Sequence, residues 1–236
     1  MANIGSIDIY INVPNLPREE FEKYSTKLFD EWESYVSTNL ELGDFSLALE
    51  VEEGSIKAKG KIVAALSVLY LGISQYGSFV SGLQTIHNQV RTVGNYLGER
   101  ASTPFGLETP KPKVRKRGES LARLEKLFVK VERGEMTVEI AMAEAEAFLG
   151  SELNEVPEFR TELEKSLKET PVLCEQMELP LTDVNGDEII IECIQTTKPR
   201  KPLPSPKLPQ PVLDQFRVEV WRETKRGKRN VKITSL

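Results

Sequence analysis

Residues 62–90 read IVAALSVLYLGISQYGSFVSGLQTIHNQV, and no Asp, Glu, Lys or Arg falls between Lys61 and Arg91 in a chain where 28% of residues are charged. A stretch this apolar has to be sheltered from water, so the rest of the chain is read outward from it. Written as one helix, Ile62 to Leu83 would span roughly 30 Å, about the hydrocarbon thickness of a bilayer. Ser67, Ser74, Ser78, Ser81 and Thr85 share a narrow arc at about 100° per residue, a small polar seam suited to close packing against another backbone. Ser74, Ser78 and Gly82 have the small-xxx-small spacing that permits such an approach. Gly72, Gly77 and Gly82 are five apart, share no face, and cost up to about 1 kcal/mol each in helix propensity. They call for compensating packing or for a break near Gly77. The segment over 62–86 is therefore expected to be a buried helix or helix pair, with insertion into or adsorption on a membrane as the alternative.

Before this stretch, Ser6 to Val13 alternates Ile7, Ile9 and Ile11 with polar partners, the period of a strand with one covered face. Pro17 with Glu19 and Glu20 marks a helix start, because carboxylates favour the positive end of the helix dipole. Phe21, Tyr24, Leu28, Trp32, Tyr35 and Val36 then recur at three and four, giving one apolar, aromatic face. Asp44 to Glu53 reads as a second strand, Gly54-Ser55 as a turn, and Ile56 to Lys59 as the start of a third strand or a short run into the apolar helix. The pattern predicts an α+β fold whose first module, residues 1–100, places helices on a short sheet.

Prolines and basic residues predict a linker over 101–118, a helical region over 119–170 and a β-rich segment over 171–236. In the helical region, Leu121, Leu124, Leu127, Phe128 and Val131 share one face. Thr137 is placed to cap a second helix carrying Ala141, Ala145, Phe148 and Leu149, with Gly150 at its end. In the last segment, Asn185-Gly186 signals a hairpin, the proline run 198–211 an extended arm, and Phe216–Glu223 with Asn230–Thr234 a final hairpin.

The succession of Leu121, Leu124 and Leu127, a turn at Gly134, the Thr137-x-Glu139 helix start and Leu149 resembles the short helical hairpins of the SHOCT type. The resemblance covers this stretch alone and implies an oligomerisation or interaction module. An ordinary helical hairpin accounts for the same letters.

The chemistry-bearing residues are sparse. His87 is the single histidine of the chain, which leaves little to build histidine metal sites or nucleophilic dyads from. Cys174 and Cys193 lack paired metal-site spacing and form no disulfide framework, so a reduced, cytoplasmic location is the default. The N-terminal MANIGSIDIYINV shows no secretory pattern of a basic segment followed by an apolar one. Asp183 to Glu188 has its glycine too early for a calcium loop, and no motif asks for a cofactor. Glu50, Glu52 and Glu53 read as surface charge able to pair with Lys57 and Lys59.

The formal net charge of -5 argues against nucleic-acid binding by the surface as a whole, leaving only local basic patches for anions. Those patches are Lys113, Arg115, Lys116 and Arg117, and then Arg226, Lys228 and Arg229. The expected function is a non-enzymatic interaction or scaffold protein that self-associates or binds a protein partner. Its contacts would run through Ser67, Ser74, Ser78, Ser81, Gly82, Leu124, Leu127, Phe128 and Phe148. A membrane-associated regulator, on the inner face of a membrane and anchored by the apolar helix, is the alternative.

Overall fold

A computed structural model describes residues 1–13, 16–105, 113–172 and 215–236, and all of these belong to one unit. The uncharged stretch does not form one helix. Ile62 and Ala64 complete strand β3 (Ile56–Ala64); the chain then turns into helix α2 (Leu66–Ser74), breaks, and resumes as helix α3 (Phe79–Ser102). The break lies where the glycine spacing asked for it. Gly77 has φ +79°, a conformation that L side chains rarely adopt, and the Ser78 hydroxyl caps α3 by accepting from the Ser81 amide at 3.2 Å. A Cβ on Gly82 would run into the backbone of Ile73, so glycine sets how closely α2 and α3 meet.

The small polar seam is corrected by this geometry. Ser67, Ser74, Ser78 and Ser81 are all exposed, and the buried side of the two helices is Leu66, Leu69, Ile73, Phe79, Leu83 and Ile86. Serines can be satisfied by water, whereas burying these aliphatic and aromatic side chains is worth about 1.5–3 kcal/mol each, and that difference orients both helices. Among the described residues no helix is long and apolar enough to cross a membrane. The expected anchor over 62–86 is thus three shorter pieces whose apolar residues are mostly covered by protein, Leu71 being the exposed exception.

Strands β1 (Ala2–Ile11), β2 (Ser46–Glu52) and β3 join β4 (Lys113–Arg117), β5 (Phe216–Arg222) and β6 (Asn230–Ser235) in one antiparallel sheet of order β4-β1-β3-β2-β5-β6. Gly54 and Ser55, both at positive φ, make the tight turn between β2 and β3, the backbone twist that a two-residue hairpin requires. The basic stretch read as linker is instead an edge strand, with Val114 opposite Ile9 and Lys116 opposite Ile7. The terminal hairpin pairs with β2, so the two ends of the chain share one sheet. Predicted features at Cys174, Asp183 to Glu188, Cys193 and the arm 198–211 lie outside the described residues.

Helix α1 (Arg18–Asn39) and α3 lie on one face of this sheet. Trp32, fully buried, donates from Nε1 to the Val93 carbonyl at 3.2 Å and stands under Gly60 in the central strand. Tyr35 and Tyr96 stack between the two helices with centroids 3.9 Å apart, and burial pushes the Tyr24 phenol up while its hydroxyl donates to the Ala101 carbonyl at 2.8 Å. Helix α4 (Glu119–Glu132) packs on β1 and α3, and α5 (Val138–Leu149) on α4. After the single turn α6 (Glu152–Glu155), α7 (Pro157–Glu169) closes the layer.

The hairpin of α4 and α5 therefore finds its mate within its own chain. Leu124, Leu127 and Phe128 are core residues, which corrects their placement as interaction contacts. Phe148 is half-buried beneath the Arg123 guanidinium, 5.7 Å from the ring centre.

Candidate functional site

The period of a strand is two, so whatever the helix-facing residues of the sheet are, their neighbours stand on the opposite face. No described element covers that opposite face. Reading across the strands, its first row is Arg117, Ser6, Lys61, Ala48, Trp221 and Asn230; the second is Arg115, Asp8, Lys59, Glu50, Glu219 and Lys232. The third is Lys113, Tyr10, Lys57, Glu52, Arg217 and Thr234. On β4, β1 and β3 this places Lys57, Lys59, Lys61, Lys113, Arg115 and Arg117 around Asp8, and the Glu119 carboxylate at the start of α4 joins them by accepting from the Ser6 hydroxyl at 2.6 Å. The cations come from two basic stretches more than fifty residues apart in a chain of net charge -5. The cations of β3 and β4 form two columns roughly 10 Å apart, from the spacing of two strand intervals, with Ser6, Asp8 and Tyr10 between them.

The β2 and β5 half of the face carries three carboxylates, Glu50, Glu52 and Glu219, against one cation, Arg217, and so offsets part of the charge of β3. Arg217 Nε lies 3.1 Å from Glu50, its other nitrogen bonds Glu52, and Lys57 Nζ is 3.6 Å from Glu52. Burial alone would raise the Glu52 carboxyl, but the Arg217 hydrogen bond and the charges of Arg217, Lys57 and Lys59 outweigh it and hold the carboxyl below the usual carboxylate value. The same pairing raises the Arg217 guanidinium, its hydrogen bond to Glu52 being the largest cause. Arg117 is 3.6 Å from Asp8. Lys59, Lys61, Lys113 and Arg115 have no carboxylate within 4.0 Å among the described residues. Ser6 and Ala48 are short, and over them the face dips into a cavity of about 340 Å³ bounded by Asp8, Lys59, Lys61, Glu50, Glu219 and Trp221. Tyr10 is 38% exposed beside it on β1.

The expected anion contacts divide. Lys113, Arg115 and Arg117 belong to the open face, whereas Lys116 turns to the helix side, its Cδ near Gly94. Arg226, Lys228 and Arg229 lie in the turn between β5 and β6, at the other edge of the sheet, and Arg229 is engaged by Asp30 at 2.6 Å. The contribution of Lys57, Lys59 and Lys61 to one surface with β4 was not anticipated. Their alternation with Ala58 and Gly60 puts them on one face, but nothing in the sequence pairs that face with residues 113–117.

A second concavity, about 640 Å³, lies between α3, α4 and α7 over Phe79, Leu83 and Phe128. At its rim the single histidine, His87, is hydrogen-bonded through Nδ1 to Glu125 at 2.6 Å. Its Nε2 side abuts Gly118, where a Cβ would collide with the ring. Among the described residues no serine or threonine is hydrogen-bonded to His87. Among the described residues no cluster of His, Cys, Asp and Glu is arranged to hold a metal ion.

No family model matches the chain, and comparison with curated proteins and with solved structures likewise finds no match.

Proposed function

We propose that this chain is a non-enzymatic interaction protein that binds an anionic partner on the uncovered face of its sheet. The supporting observation is the gathering of Lys59, Lys61, Lys113 and Arg115, unpaired among the described residues, on a face that no described element covers. Surface lysines and arginines are commonly interspersed with carboxylates, as they are on the β2 and β5 half of this same face. An excess of cations over carboxylates on β4, β1 and β3 suits a partner that supplies further negative charge.

Retention of the full chain on immobilised heparin at low salt tests the reading. A protein of net charge -5 is expected to bind the column through this face and to elute early once Lys59, Lys61 and Arg115 are changed to Glu, with its far-UV circular dichroism unchanged. Passage of the unaltered chain through the column at low salt would overturn the proposal.

A further inference from the structure

Resting on that reading, we infer that the anionic partner is single-stranded nucleic acid, laid across the open face with its phosphates on the β3 and β4 cations and its bases toward Tyr10 and Trp221. A bilayer of anionic lipid or a polyglutamate-like acidic peptide offers negative charge without planar rings for Tyr10 and Trp221 to stack on. Asp8, Glu50 and Glu219 stand among the cations in the same cross-strand row and would repel any negative charge laid directly over them, phosphates included. Nucleic acid is a polyanion whose planar bases also carry donors. The exocyclic amino groups of adenine, cytosine and guanine donate to carboxylates, so charge of both signs on one face becomes complementary.

The two aromatic residues complete the set. Trp221 borders the cavity of about 340 Å³ above Ala48 and Ser6, and Tyr10 is 38% exposed between the two columns of cations. Aromatic side chains within a cationic sheet are the general means by which proteins hold unstacked bases, since every base has a π-face whatever its sequence. The width of the surface excludes insertion into a major groove. Six strands span roughly 24 Å, whereas the major groove of B-DNA admits only an α-helix or a two-stranded ribbon.

Fluorescence anisotropy of the full chain with labelled mixed-sequence single strands, RNA and DNA, measures the binding. The duplex of the same sequence, a polyglutamate peptide, heparin and vesicles containing phosphatidylserine serve as comparison ligands. If Lys59, Lys61, Lys113 and Arg115 each neutralise one phosphate, the slope of log K against log salt is about -3, a weakening of about fifty-fold from 50 to 200 mM. Trp221→Ala is expected to weaken single-strand binding about fivefold or more at unchanged salt slope, with Tyr10→Ala behaving alike. Both residues stand on the open face, and circular dichroism verifies that the variants fold.

Equal binding of duplex and single strand, or affinity untouched by either aromatic variant, would overturn the inference. So would tighter binding of polyglutamate or vesicles than of oligonucleotide. In each case retention on heparin would leave the proposed function standing. Failure to bind any polyanion would overturn both.

Discussion

Gly60 sits in the central strand directly over Trp32, and replacing it with alanine probes whether the sheet and the helix layer were built around each other. A Cβ there would lie 2.6 Å from Leu97 Cδ2 and 3.2 Å from Trp32 Cη2. The leucine methyl is the end of a flexible side chain and can yield. The indole cannot, being fully buried, hydrogen-bonded to Val93 and set edge-on to Phe29. Overpacking of a tight core costs about 1–3 kcal/mol. Against this, removing a glycine from a strand restricts the unfolded chain and gains about 0.4–1 kcal/mol. The net expectation for Gly60→Ala is a loss of about 1–2 kcal/mol. With urea m-values of about 1–3 kcal/mol per molar, the unfolding midpoint followed by tryptophan fluorescence should fall by roughly 0.5–1 M. In a Trp32→Phe background, where the indole's outer ring is gone, the same change should cost at least about 0.5 kcal/mol less, because contacting residues couple. A midpoint for Gly60→Ala equal to or above that of the parent, or a cost indifferent to Trp32→Phe, would refute this account of the core.

Gly82→Ala should destabilise by about 2 kcal/mol despite alanine's better helix propensity, because the obstacle is the Ile73 backbone rather than a movable side chain; thermal unfolding measures it. Ser67→Ala and Ser74→Ala should change stability by less than about 0.5 kcal/mol, since both side chains face water, whereas Ser78→Ala should cost about 1 kcal/mol through loss of the α3 cap. Glu52 is held below its ordinary value in the folded chain, so its contribution is present above the unfolded carboxylate value and is lost as pH falls through the folded one. Urea midpoints measured from neutral pH down through the carboxylate range should therefore decline less steeply for Glu52→Gln than for the parent. Deleting residues 120–150 should unfold the sheet rather than merely abolish an assembly contact, because Leu121, Leu124 and Leu127 are buried against β1 and α3; circular dichroism checks this.

Much of the local structure could be read before any coordinates. The alternation of Ile7, Ile9 and Ile11, the Gly54-Ser55 turn, the three-four spacing from Phe21 to Val36 and the Thr137 cap each depend on neighbours within one or two turns of chain. The break near Gly77 was present in the glycine spacing, yet the serine seam was assigned the wrong environment. Helical periodicity reports that residues share a side, not which side is buried. Here the larger aliphatic residues claimed the core, and the break removed the continuous helix on which the seam depended.

The candidate site was divided among segments that sequence distance keeps apart. Local pattern establishes that Lys57, Lys59 and Lys61 share one strand face, and that residues 113–117 alternate in the same way. What makes them one surface is β1, which pairs with β3 on one side and β4 on the other and so carries both basic stretches onto its own polar face. The α+β class, the Gly54-Ser55 and terminal hairpins and the starts of α1 and α5 were determined by the sequence alone, because short-range sterics, capping and amphipathic period suffice for them. Strand order, the conversion of a basic linker into an edge strand and the collection of unpaired cations on an open face were decided only by tertiary structure. Pairing between distant strands depends on which apolar faces can be buried together, a property of the whole core that no single segment carries.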